Sequence, residues 1–265
     1  MSALLDSSRD GHILHLALNR PAKRNALDSA LCRDLVEALE SADADPDIHT
    51  ILLSAAGKSF CAGMDLAEAA APPDASDIDT LHERLFTAGA RLATPIVAAV
   101  HGAALAGGTG LVANCHVVVA APDATFGLTE VRIGLWPFLV FRACAAAMGE
   151  RRTLELSLTG RIFPAAEARE YGLVHEIAGD PLARAAEVAR QIAAYSHVAI
   201  RKGLETVHRS RGRTAQQAGQ IARAAREEVF QSPGFHQAIG SFLETRSPGP
   251  RPPPPDAGDR REPPS

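Results

Sequence analysis

Short apolar runs, broken by glycine, proline and charge, set the first description of the chain. Leu14, Leu16 and Leu18 alternate with His15 and Ala17, which predicts a strand that Asn19-Arg20-Pro21 ends. Asp28 or Ser29 can cap a helix with Leu31, Leu35, Ala38 and Leu39 on one face. Asp45-Pro46-Asp47 stops that helix, and the run from Ile48 to Ser54 reads as a buried strand. Residues 70–77 are small, acidic and proline-containing, the composition of a mobile loop. A helix is expected from Ile78 to Leu92, with Leu81, Leu85 and Leu92 on one side. Ile96 to Val100 reads as a short buried strand, and a glycine-rich turn at 103–110 then feeds a helix from Leu111 to Cys115. Val117 to Ala120 and Asp123 to Phe126 read as further strands.

Alternation of strands and helices to about residue 178 argues an α/β fold. From Pro181 the pattern is helical only: Ala183–Tyr195, Ser196–Arg209, Thr214–Phe230 and Pro233–Thr245. Pro248 to Ser265 carries proline, glycine and charge with nothing to bury, and is expected to be disordered. The division is then a core at 1–180, a helical oligomerisation region at 181–247 and a tail at 248–265. No sequence repeat is visible.

Composition narrows the function. The 265 residues suffice for a full core, and 46% hydrophobic with 22% charged residues is globular. A net charge of −4 gives no general pull toward nucleic acid or an anionic membrane. The cysteines, Cys32, Cys61, Cys115 and Cys144, lack metal-ligand spacing and read as small apolar residues in a reducing compartment. The first residues do not read as a signal peptide, and no apolar stretch is long enough to cross a bilayer. A cytoplasmic protein without a metal is expected.

The chemistry gathers at two glycine-bearing turns. Gly57-Lys58-Ser59-Phe60-Cys61-Ala62-Gly63-Met64-Asp65-Leu66 follows the strand at 48–54, and Gly107-Gly108 opens the later helix. Such turns present backbone N–H groups, which suit a developing oxyanion. Either turn alone is also an ordinary connection between elements.

Together with other pieces the turns resemble the crotonase superfamily, the enoyl-CoA hydratase/isomerase group. The pieces are Asn19-Arg20-Pro21, Asn25-Ala26-Leu27, Phe60 to Leu66, His101-Gly102, Leu105 to Gly108 and Phe126 to Glu130. Leu158 to Arg161, Ala165 with Ala168, Tyr171 to Val174 and a closing helix from Phe230 to Glu244 complete the set, over residues 11 to 247. The resemblance implies a crotonase-like spiral of ββα turns with C-terminal helices, and a homotrimer or dimer of trimers. It implies an acyl-CoA substrate, with coenzyme A part of that substrate and no separate cofactor.

By position, the N–H groups of Met64 and Gly107 resemble the oxyanion pair and Glu130 the catalytic carboxylate. The family's other acid falls on Gly110, which has no side chain. A hydratase with one glutamate would be slow unless another group substitutes. An isomerase can work with one, because a single base can move a proton between two carbons. Arg24 resembles a basic position near the CoA nucleotide; Ala26, Ala62, Asp65 and Leu66 resemble the lining of the CoA groove, and Gly108 joins this substrate-binding set. Trp136, Phe138 and Phe141 could line the acyl pocket or be plain core. His116 stands where the family often has an acid, which puts a structural contact in question. His82 and Glu83 lie where some relatives place a catalytic side chain, against the plainer reading of an exposed helix face.

Two alternatives stand beside the hydratase/isomerase. Decarboxylation of a malonyl-type thioester needs the oxyanion turn more than a base. A non-catalytic RNA- or CoA-binding protein is the other. Arg201, Lys202, Arg209, Arg211, Arg213, Arg223 and Arg226 form a basic run, but Glu205, Glu227 and Glu228 interrupt it.

Overall fold

The computed structural model describes residues 4–70 and 78–245. The loop expected at 70–77, apart from Ala70, and the tail expected at 248–265 lie outside the described residues. In chain order the strands are β1 (Leu5–Asp10), β2 (Ile13–Leu18), β3 (Thr50–Ala55), β4 (Ile96–Val100), β5 (Ala103–Leu105), β6 (Val117–Ala120), β7 (Thr125–Gly127), β8 (Ile162–Pro164) and β9 (Glu176–Ile177). The helices are α1 (Ser29–Ala44), α2 (Leu66–Ala69), α3 (Ile78–Phe86), α4 (Ala88–Arg91), α5 (Gly107–Ala113), α6 (Phe141–Met148), α7 (Glu150–Thr159), α8 (Ala165–Glu170), α9 (Pro181–Ala193), α10 (His197–Ser210), α11 (Ala215–Phe230) and α12 (Pro233–Thr245).

The larger sheet has the order β1-β2-β3-β4-β6-β9, parallel from β2 onward. Its central strands are mostly apolar because both faces are covered. Leu16, Leu18, Ile51, Leu53, Ile96, Ala98 and Val118 join the main core with α1. The alternate residues Ile13, Leu52, Val97, Ala99 and Val119 pack on Ala185 and Ala189 of α9. The first of the trailing helices therefore belongs to the packing of this sheet.

The smaller sheet, β5-β7-β8, lies where each large-sheet strand continues its path. β4 runs into β5 and then α5; β6 runs into β7 and then toward α6. After β3 the same step is a single parallel bridge, Cys61 to Ala104. These successive strand–strand–helix turns repeat in space although the sequence shows no repeat.

Three sequence expectations shift. β1, Leu-Asp-Ser-Ser-Arg-Asp, has no alternating pattern and forms as an antiparallel edge strand on β2. The helix expected over 78–92 divides at Thr87. Gly89 N–H turns to Asn114 Oδ1 at 3.2 Å, and a Cβ at Gly89 would collide with the Asn114 backbone. Leu81, Leu85 and Leu92 are buried as expected. α6, α7 and α8 fall where the periodicity marks no helix, since alanine and charge dominate α6 and α8, and α7 buries only Thr153, Leu156 and Ser157.

His116 makes the contact its position put in question. Its Nδ1 accepts the Ile96 N–H at 3.0 Å, tying the start of β4 to that of β6. All four cysteines are free thiols, with Cys32, Cys61 and Cys144 buried. Among the described residues no helix is long and apolar enough to cross a membrane.

Candidate active site

The loop after β3 and the turn before α5 meet backbone to backbone. Gly63 has φ 91°, and a Cβ there would lie 3.2 Å from Gly107 N. A Cβ on Gly107 would lie 3.5 Å from Gly63 Cα. Only glycine permits this approach at 63, where both the positive φ and the neighbour exclude a side chain.

The loop is pinned to the chain before α1. Leu27 N–H donates to Gly63 O at 2.8 Å, Asp65 N–H to Leu27 O at 2.9 Å, and Ala62 N–H to Arg24 O at 3.0 Å. Asn25 is fully buried; its Nδ2 donates to Ala56 O and Ser59 O, each at 2.9 Å, and its Oδ1 accepts the Arg20 N–H at 2.8 Å. The Met64 and Gly107 N–H groups donate to no group among the described residues.

The second turn is held under strain. Ala106, at φ 51° and ψ −119°, precedes the first residue of α5. A non-glycine residue in this region costs on the order of 1–3 kcal/mol. Its N–H donates to Gly127 O at 2.7 Å. Buried Thr109 braces the same place: its hydroxyl lies 2.7 Å from Ala104 O and accepts the Gly127 N–H at 3.1 Å.

Both turns border a cavity of about 810 Å³. Its lining includes Arg24, Ala26, Leu27, Ala62, Met64, Asp65, Leu66, Phe86, Gly107, Glu130, Trp136 and Val140. Glu130 opens a 3-10 turn after β7 and is 8% exposed. Its Oε2 is buried without a hydrogen-bond partner among the described residues. Burial pushes its carboxyl up to about 7, against a smaller opposing pull from its own backbone N–H.

The structure sorts the expected site residues. Met64, Gly107, Glu130, Arg24, Ala26, Ala62, Asp65, Leu66 and Trp136 all border the cavity. Gly108 does not: a Cβ there would collide with the Cys61 carbonyl, so its place is in helix packing. Phe138 lines the cavity, while Phe141 does not and instead stacks on Trp136 at 6.2 Å. Asp65 is occupied by protein partners: Arg20 Nη1 lies 2.6 Å from its Oδ2, and Ala67 N–H caps onto its Oδ1 at 3.0 Å. The Arg20 hydrogen bond, more than the opposing burial, holds the Asp65 carboxyl below the usual range. His82 is buried, against the reading of an exposed face, whereas Glu83 is exposed and both line the cavity.

Sequence reasoning missed Arg20, Thr109 and Val140. Arg20 also pairs with Asp28 at 3.0 Å, so one guanidinium ties the α1 cap to the Met64 loop. The run Asn19-Arg20-Pro21 marked it as the end of a strand and as part of the family resemblance, with no role in the site. Val140 has no sequence signal; a Cβ on Gly110 would lie 2.5 Å from Val140 Cβ and would collide with its Cγ1.

The enoyl-CoA hydratase/isomerase family model matches residues 8–249. The chain is 35% identical over 254 residues to the enoyl-CoA hydratase EchA19 of Mycobacterium tuberculosis, covering 91% of this chain and 93% of that protein. It is 34% identical over 245 residues to a putative enoyl-CoA hydratase of Thermus thermophilus, covering 90% and 97%. The fold superposes on the crystal structure of an enoyl-CoA hydratase from Mycobacterium smegmatis with a TM-score of 0.86 at 31% identity, covering 92% of this chain and 98% of that one. The chain belongs to the enoyl-CoA hydratase/isomerase family, a group of enzymes in the crotonase superfamily.

Proposed function

We propose that the protein acts on acyl-CoA thioesters through an enolate, with Glu130 as the one carboxylate that transfers protons. Buried Glu130 on the cavity wall carries this reading: its carboxyl is pushed up to about 7, near the operating pH of a general acid or base. The unpaired N–H groups of Met64 and Gly107 support it as the donors to the thioester oxygen.

Glu130 as carboxylate takes a proton from C2 of a 3-enoyl thioester. The C–H electron pair moves toward the carbonyl and the negative charge settles on the thioester oxygen, between the two N–H groups. Glu130 then returns the proton to a different carbon from the one it deprotonated, and the C=C bond shifts. No atom is lost, and one base suffices. The proton taken from C2 is returned to C4, which leaves a 2-enoyl thioester.

Three further expectations belong to this reading. Arg24 and Lys23 at the cavity rim would hold the phosphate end of the coenzyme. α10 and α11 bury no residue in the single chain, which supports a trimer or dimer of trimers. A cytoplasmic setting goes with the acyl-CoA substrate.

Purified protein should be screened with crotonyl-CoA, a 3-enoyl-CoA and a malonyl-type CoA ester. Turnover of an enoyl ester that disappears in Glu130→Gln supports the reading. Turnover of the malonyl-type ester alone replaces it with decarboxylation.

A further inference from the structure

We propose that His82 is a second proton-transfer group of this site and enables it to add water to a 2-enoyl thioester. The inference rests on the reading of Glu130 given above.

His82 lies on α3 and is 7% exposed. Its Nε2 is buried with no hydrogen-bond partner among the described residues. Leaving such a group unpaired costs about 1–3 kcal/mol, so a purely structural position would favour an apolar side chain. α3 already supplies such residues, since Leu81 and Leu85 fill the core. His82 and Phe86, four residues apart, both line the cavity. Their rings are 5.7 Å apart. Phe86 in turn is what a Cβ on Gly107 would meet at 3.2 Å, and one on Gly110 at 3.5 Å. Phe86 therefore neighbours both His82 and the Gly107 turn.

The other ionisable groups on the cavity wall are less suited to accept a proton there. Lys23 and Arg24 are cations, the Asp65 carboxylate is paired with Arg20, and Asp79 and Glu83 are exposed. Burial lowers the His82 pKa below its ordinary value, while Asp79 of its own helix and Glu68 of α2 oppose the shift. The imidazole is therefore neutral at neutral pH, where Glu130 still holds its proton in a large fraction of molecules.

Water addition then balances. Neutral His82 takes a proton from a water as its oxygen bonds to C3. The C2=C3 π pair moves toward the carbonyl and the charge settles on the thioester oxygen. Protonated Glu130 gives its proton to C2 as the carbonyl reforms. Imidazolium and carboxylate remain, and exchange of one proton through solvent restores both. Isomerisation needs Glu130 alone.

The test uses the full chain as wild type, His82→Phe, His82→Gln and Glu130→Gln. Hydration of crotonyl-CoA and isomerisation of a 3-enoyl-CoA are measured together with melting temperature. General acid–base work is worth roughly a hundredfold or more, so the hydration-to-isomerisation ratio should fall at least about thirtyfold in both His82 variants. His82→Phe should melt no lower than wild type, because it removes an unpaired buried polar group. A ratio unchanged in either folded variant, or a wild type that isomerises without hydrating, overturns the role of His82. An active Glu130→Gln overturns the reading of Glu130 instead, so the two failures are distinct. If His82→Phe does not fold, His82→Gln alone decides.

Discussion

Val140 occupies the space that any side chain at Gly110 would need. A Cβ on Gly110 would stand 2.5 Å from Val140 Cβ and 3.5 Å from Phe86 Cδ1. The absent acid at 110 is therefore matched by an apolar wall in front of it. Val140 is 4% exposed and sits at the start of α6, which packs on α5.

This pair gives the first prediction. Gly110→Ala should lower stability by at least about 1–3 kcal/mol through overpacking. Gly110→Glu should unfold further and gain no hydration of crotonyl-CoA. Placing Gly110→Ala in a Val140→Gly background should cost less than placing it in wild type. Thermal melts of the four-member cycle check this; additive effects would show that Val140 does not fill the space.

The second prediction concerns the stability cost of Glu130. Its carboxyl is raised from 4.5 unfolded to about 7 folded. Between those values the folded chain binds more protons than the unfolded one, so this group makes stability fall as pH rises through the window. The gap corresponds to on the order of 3 kcal/mol above pH 7. Glu130→Gln should therefore melt higher than wild type at pH 8 and equal to it near pH 4. Buried His116, lowered to about 4, acts in the opposite sense: its contribution is full above 6.5 and is lost as pH falls toward 4. Comparing the variant with wild type at each pH cancels that term.

Much of this was legible in the sequence, for physical reasons that differ by region. The strands at 50–55 and 96–100 were visible because both faces are buried and the residues are mostly apolar. The glycines at 63 and 107 were visible because two backbones meet there, and at 63 no side chain fits. β1 was not visible, because an edge strand is held by backbone pairing and its side chains are mostly solvated. Val140 and Thr109 were not visible either. What makes each matter is a contact with a chain segment distant in sequence, and a single valine or threonine carries no trace of it.

The third prediction follows from Thr109. Thr109→Val keeps the shape but leaves the Gly127 N–H and the Ala104 carbonyl without their partner. A loss of about 1–3 kcal/mol is expected. The strained Ala106 turn should loosen with it, and kcat should fall about tenfold or more from misplacement of the Gly107 N–H. Unchanged kcat at reduced melting temperature would separate the brace from the chemistry.

The fourth prediction concerns assembly. Phe230 is 42% exposed, Ile239 43% and Leu243 64% on the trailing helices. Phe230 stacks on half-buried Phe235 at 4.6 Å, forming a partly exposed aromatic pair. Such apolar faces are expected to pack between copies of the chain. Light scattering should give a mass in multiples of three chains, and Phe230→Asp with Leu243→Asp should shift it to a smaller species. A monomer at micromolar concentration contradicts this.

The measurement that bears most directly on the account is kcat/KM of Glu130→Gln on the best enoyl-CoA ester, beside thioester binding by calorimetry. Loss of the one carboxylate that carries protons should lower kcat/KM by 10²-fold or more, by the usual scale of general acid–base catalysis. Binding should stay within about threefold, because the backbone donors and the cavity rim are untouched. Full activity in Glu130→Gln on every enoyl ester tested would contradict the account.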